Sequence, residues 1–109
     1  MERIDPALVR LITERIDSVA HLELILLLHR DRSTRITAVD GARAFGLSAE
    51  MAKNLLDDLC RGGFAEAVDG GFRYAPSSAE LDRLLQSLAT LYQQRPVTVI
   101  QVIYAQPPK

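Results

Sequence analysis

The chain has 109 residues, 48% hydrophobic and 25% charged, with a formal net charge of −1 and a pI near 6.1. This length fits one domain that can bury a core without staples, and the charge balance lacks the basic excess of a dedicated nucleic-acid binder. The single cysteine, Cys60, excludes a disulfide framework or a thiolate metal site within one chain, and no apolar run approaches the ~20 residues of a membrane span.

No signal-peptide pattern opens the sequence, so a reducing cytoplasm is the expected compartment. Eleven of the thirteen basic residues are arginine, a usage that suggests a GC-rich bacterial genome. Asp5-Pro6 predicts a helix start, with Asp as N-cap and Pro at the first position. Leu8, Val9, Ile12 and Ile16 follow at helical spacing, giving a helix over about 6–16. Asp17 or Ser18 ends it and caps the next.

The second helix spans about Val19 to Arg30. Its centre, Leu24 to Leu28, is apolar on nearly every side, the mark of a buried central helix. His21 and His29 flank it and read as surface or boundary residues, since metal sites need clustered ligands. The polar loop Asp31–Arg35 follows. Together with His29 and Arg30 it makes the chain's only basic cluster, either a solvated helix end or a phosphate clamp.

Ile36 is a lone apolar residue between that loop and the next cap. Thr37 and Asp40 resemble a capping box, with Asp in place of Glu or Gln. Val39, Ala42 and Phe45 face inward on a short helix. Gly41 costs about 1 kcal/mol against Ala there and suits close helix packing. Gly46 stops the helix in the left-handed conformation. Leu47 plugs the turn and Ser48 caps a helix from Ala49 to about Arg61, with Ala52, Leu55, Leu56 and Leu59 as its stripe. Cys60 packs at the stripe's edge as a small hydrophobe.

Gly62-Gly63 ends that helix. Phe64–Val68 and Phe72–Ala75 then read as two strands joined at Asp69-Gly70-Gly71, a strong hairpin signal. Ser77 and Glu80 give an S-x-x-E capping box for a helix with the stripe Leu81, Leu84, Leu85, Leu88, Tyr92. The tail VTVIQVIY fits helix or strand; Pro96 at a first helical position favours a short helix. The chain reads as one domain over 1–109, with an N-terminal helix over 1–17, a core over 18–76, and a C-terminal helix and apolar tail over 77–109. Its class is mainly α with a small β-hairpin (α+β).

From about Leu22 to Pro76 the chain resembles the winged helix-turn-helix superfamily of bacterial regulators, such as the MarR-like group. Thr37-Ala38-Val39-Asp40, Phe45-Gly46-Leu47-Ser48, the Leu55/Leu56/Leu59 stripe, Gly62-Gly63-Phe64 and the Asp69-Gly70 wing carry the resemblance. It implies a transcription-associated protein whose helix 49–61 enters the major groove and whose wing, 64–75, touches the DNA backbone or minor groove. The candidate DNA-binding residues are Arg30, Arg32, Arg35, Ser48, Glu50, Lys53, Asn54 and Arg73.

Charge opposes that implication. Between His29 and Pro76 seven basic residues stand against seven acidic ones, and the helix 49–61 sets Lys53 and Arg61 against Glu50, Asp57 and Asp58. Carboxylates facing phosphates repel them. The alternative is a winged helix used as a protein-interaction or dimerisation module without direct DNA binding. Candidate dimer or partner residues are Leu8, Leu11, Leu91, Val99, Ile103 and Tyr104, on the terminal helices and tail; exposed apolar patches mark interfaces. The same tail could instead pack on the domain's own helices. Nothing in the sequence pairs a nucleophile with a base, forms a phosphate loop or spaces metal ligands, so no enzyme, cofactor or metal is expected.

Overall fold

A computed structural model describes residues 4–105. Six helices and one hairpin follow in the order α1 (Pro6–Arg15), α2 (Val19–Arg30), α3 (Ala38–Phe45), α4 (Ala49–Arg61), β1 (Ala65–Val68), β2 (Gly71–Tyr74), α5 (Ala79–Gln94) and α6 (Pro96–Tyr104). The protein is mainly helical with one small antiparallel sheet, an α+β architecture. Among the described residues no helix is long and apolar enough to cross a membrane.

Local chemistry explains most boundaries. Asp5 accepts from the Ala7 amide with Pro6 at the first turn of α1, and Ser18 accepts from the His21 amide at the start of α2. Such caps satisfy amides that no carbonyl inside the helix can reach. Thr37 and Asp40 form the reciprocal capping box at α3. Donation from Thr37's backbone and side chain favours the ionised Asp40 and lowers its pKa. Gly46, at φ +67, ends α3, and the Leu47 amide reaches back to the Ala42 carbonyl. Ser48 then caps α4. The cap of α5 is Ser78, which accepts from the Leu81 amide, and not Ser77 of the expected capping box. Ser77 instead gives its amide to the Gly63 carbonyl, closing the base of the hairpin. The apolar tail is helical, with Pro96 at its first turn.

The hairpin pairs Ala65 with Tyr74, Glu66 with Arg73, Ala67 with Phe72 and Val68 with Gly71. Gly70 takes the turn at φ +80. Ile36 adds a third, one-residue rung: its amide donates to the Phe72 carbonyl at 2.7 Å and its carbonyl accepts from the Phe72 amide at 2.8 Å. The loop after α2 is thereby stitched to the hairpin. Gly71 makes this possible, because a Cβ there would stand 2.8 Å from the Ile36 carbonyl oxygen and 2.7 Å from Arg35 Cγ.

One core joins α1, α2, α4, α5 and α6 to the hairpin, and half-buried Phe45 of α3 packs against it. Its fully enclosed side chains include Ile12, Ile16, Leu22, Leu24, Ile25, Leu28, Leu56, Leu59, Phe64, Leu85, Leu88 and Val99. α3 presents Gly41 to it, where an added Cβ would lie 3.0 Å from Leu24 Cδ2. The missing side chain lets α3 lie close on α2 and α4.

Three further expectations are corrected. Val39 does not face inward on α3: it is 51% exposed, because Gly41 is the α3 residue turned to α2 and α4. His21 is buried rather than at the surface: it lies in the first turn of α2 on the core side, where Nδ1 accepts from the Asp17 amide and fastens the α1–α2 turn. Burial outweighs the nearby Asp17 and Asp58 and lowers its pKa. Helix α2 is also not covered all round, since Leu26 and Leu27 are only half-buried.

Candidate functional site

The unit α3–turn–α4–β1–β2 presents one outer surface made by α4 and the hairpin. The stripe Ala52, Leu56 and Leu59 faces the core, which leaves Glu50, Met51, Lys53 and Asn54 outward. Met51 is 51% exposed, as is Val39 on α3. On the hairpin, Phe72 and Tyr74 turn inward and Arg73 between them turns out, as alternation on a strand requires.

The cations of this surface are engaged by neighbouring acceptors. Lys53 Nζ meets Asp57 Oδ2 at 3.0 Å, one turn along α4. Arg61 pairs with Asp58, and Arg73 pairs with Glu66, its cross-strand partner. Arg35 Nη1 donates to the Asp69 carbonyl at 2.9 Å, bracing the hairpin turn. Arg43 lies close enough to Asp40 to stabilise its carboxylate. Ser48 is occupied as the α4 cap. Thus Lys53, Asn54 and Glu50 share one outer face, while Arg73 and Arg35 are tied into the hairpin.

Arg30 and Arg32 go elsewhere. Arg30 pairs with Asp31 at 3.4 Å. Arg32 joins a network assembled by long-range packing. Its Nη2 lies 2.9 Å from His29 Nε2 and 3.4 Å from Asp82 Oδ1, and its guanidinium stands 5.1 Å from the Tyr74 ring centroid. The Tyr74 hydroxyl donates to Asp82 Oδ1 at 2.6 Å, and the His29 ring meets Tyr74 edge-on at 5.3 Å. Four side chains thus lock the end of α2, strand β2 and the start of α5 together. Arginine can only donate, so His29 Nε2 accepts and the ring is neutral, with its proton on Nδ1. Burial, then Arg32, lowers the His29 pKa in keeping with this. Burial and the bond to Asp82 push the Tyr74 hydroxyl far above its ordinary value, so it remains a donor.

Beside that lock, α2, α3 and α5 enclose an open groove of about 900 Å³. Leu26, Leu27, Phe45, Ala89 and Tyr92 form its apolar lining; Glu23, His29, Arg30 and Arg32 also border it. The Tyr92 hydroxyl donates to Glu23 Oε1 at 3.0 Å across it. The only early signs of this groove were the unbroken leucines of α2 and the position of Tyr92 at the end of the α5 stripe.

The candidate partner residues of the terminal helices divide sharply. Leu8, Leu11, Val99 and Ile103 are buried in the chain's own core and cannot form an outer surface; Leu91 is half-buried and Tyr104 is exposed. The reason is that α6 lies against α1 and α5, which gives the tail an intramolecular partner. Cys60 is half-buried, and burial followed by the Asp57 charge raises its pKa, the opposite of an activated thiol. Among the described residues no group of three or more His, Cys, Asp or Glu side chains is placed to hold a metal. Comparison of the chain with protein-family models, curated proteins and solved structures finds no match.

Proposed function

We propose that α3, α4 and the hairpin form a winged helix-turn-helix that works as a protein-binding module of a transcription-associated protein, with α4 and the hairpin as its docking face. The observation that carries this reading is the pairing of Lys53 with Asp57, Arg61 with Asp58 and Arg73 with Glu66. Phosphate attraction needs cations with unspent charge. Here each cation meets a carboxylate within the same surface, and Glu50 adds a further negative charge near the start of α4. Interfaces between proteins suit such a surface, because mixed charge and exposed apolar groups such as Met51 supply specificity and contact area.

The order of elements supports the winged-helix reading. A capped short helix, a glycine turn, a capped second helix and a hairpin stitched to Ile36 follow one another as that motif requires. The test is a photo-crosslinking residue placed at Asn54 in cells, with one at Arg10 of α1 as the control. The expected result is a discrete adduct from Asn54 that protease destroys and nuclease does not. An adduct that nuclease removes, or a pattern identical to that from Arg10, would overturn the proposal.

A further inference from the structure

Arg32 straps the C-terminal end of α2. Its Nε donates to the His29 carbonyl at 3.4 Å and its Nη2 to His29 Nε2 at 2.9 Å, while the same Nη2 lies 3.4 Å from Asp82 Oδ1 on α5. The guanidinium also stands over the Tyr74 ring of β2, which the His29 ring meets edge-on. The loop that carries Arg32 runs on to Ile36, whose amide and carbonyl make the rung to Phe72. Arg35 of the same loop holds the Asp69 carbonyl at the hairpin turn. The attachment of the hairpin to the helices therefore passes in part through one contact between a guanidinium and an imidazole nitrogen.

That contact exists in only one protonation state. Arginine offers donors alone, and an imidazolium does the same. A proton on His29 Nε2 sets two positively charged donors 2.9 Å apart. The groups that face the ring are Arg32 from the loop, Tyr74 from β2 and Asp82 from α5; Glu23, Arg30 and Tyr92 share the groove it borders. Asp82 favours the proton, but its Oδ1 already accepts from the Tyr74 hydroxyl at 2.6 Å and from Arg32. Burial, then Arg32, outweighs Asp82 and leaves the His29 pKa lowered.

We infer that His29 is a proton-operated latch: neutral, it holds Arg32 across the end of α2; protonated, it expels Arg32 and loosens the 31–35 loop and the Ile36 rung from the hairpin. The open form takes up the proton near the ordinary pKa of about 6.5 and the closed form only below it. The latch is therefore complete above about pH 6.5 and is lost as pH falls. His21 also gains a proton on opening, but its bond is to the Asp17 amide in the α1–α2 turn, so its effect is not confined to the hairpin. The latch does not depend on which partner the α4–hairpin surface takes.

Amide hydrogen exchange of the full chain, followed by NMR from about pH 7.5 to about pH 5, tests it. Protection of the Ile36 and Phe72 amides, taken relative to the Leu56 amide in the core of α4, should fall several-fold, with a ceiling of about 30-fold at pH 5. His29→Gln keeps an acceptor for Arg32 and cannot titrate, so it should abolish this relative fall while His21 remains in place. The ring-nitrogen chemical shifts of His29 should show the Nδ1–H tautomer at about pH 7.5 and a midpoint below about 6.5, and Arg32→Ala should move that midpoint up. An Nε2–H tautomer, a midpoint that Arg32→Ala leaves in place, or a relative fall that is absent from the wild type or survives in His29→Gln overturns the inference.

Discussion

If ion pairing keeps the α4–hairpin surface from binding DNA, neutralising three carboxylates should make it bind. Asp57, Asp58 and Glu66 hold Lys53, Arg61 and Arg73. In the variant Asp57→Asn/Asp58→Asn/Glu66→Gln the formal net charge moves from −1 to +2, and three cations on one unit are released. If each then neutralises one phosphate, the duplex affinity should fall with salt at a slope near −2.7. Between 50 and 200 mM salt that is a loss of about 40-fold. The fold should tolerate the change, because exposed pairs of this kind contribute only about 0.3–0.5 kcal/mol each. Asp57 and Asp58 also stand near the C-terminal end of α4, where the helix dipole disfavours negative charge, so part of the loss is offset. Fluorescence anisotropy with a labelled random-sequence duplex measures the effect. An unchanged affinity in a folded variant would refute the reasoning, and so would a gain without salt dependence.

Three further outcomes follow from the geometry. Tyr74→Phe removes the donor to Asp82 and should cost about 1–2 kcal/mol, at the lower end for a charged acceptor because water can reach Asp82, read as a lower melting temperature. Gly71→Ala should cost about 1–3 kcal/mol from overpacking against the Ile36 carbonyl; a urea midpoint equal to wild type would show that the Ile36 rung does not constrain the hairpin. His21 is neutral in the fold with its pKa lowered, so the unfolded chain takes up its proton first. Its stabilising contribution is therefore complete above about pH 6.5 and lost as pH falls below that, with a slope of at most about 1.4 kcal/mol per pH unit. His21→Asn, which can keep an acceptor for the Asp17 amide, should flatten that part of the stability–pH curve.

Local signals made the helices and the hairpin legible. Asp5-Pro6, Ser18, Thr37 with Asp40, Gly46 and Ser48 act within a few residues of themselves, so the sequence displays their partners. The Ser77/Ser78 displacement shows the limit of this. Both are serines with plausible cap spacing, and only the long-range bond from the Ser77 amide to Gly63 decides which one caps. His21 was misplaced for a similar reason: its burial depends on how α1 turns into α2 and on the packing around it. The seven-against-seven charge count was visible in the sequence, yet which cation meets which carboxylate was not. Arg32 reaches Asp82 fifty residues away and Arg73 meets Glu66 through strand register. The terminal helices show the same division. Periodicity found the apolar residues of α1 and α6, but the packing of α6 on α1 and α5 determined that Leu8, Leu11, Val99 and Ile103 face inward while Val97 and Tyr104 face out.

The central claim is that ion pairing silences the cations of α4 and the hairpin toward nucleic acid. Its most direct test is an anisotropy titration of the unmodified protein against a labelled duplex at about 50 mM salt, where phosphate contacts are strongest. The account predicts no saturable binding up to about 10 µM protein, a level at which even non-specific binders usually respond at low salt. Saturable binding below that concentration, weakening steeply as salt is added, would contradict it.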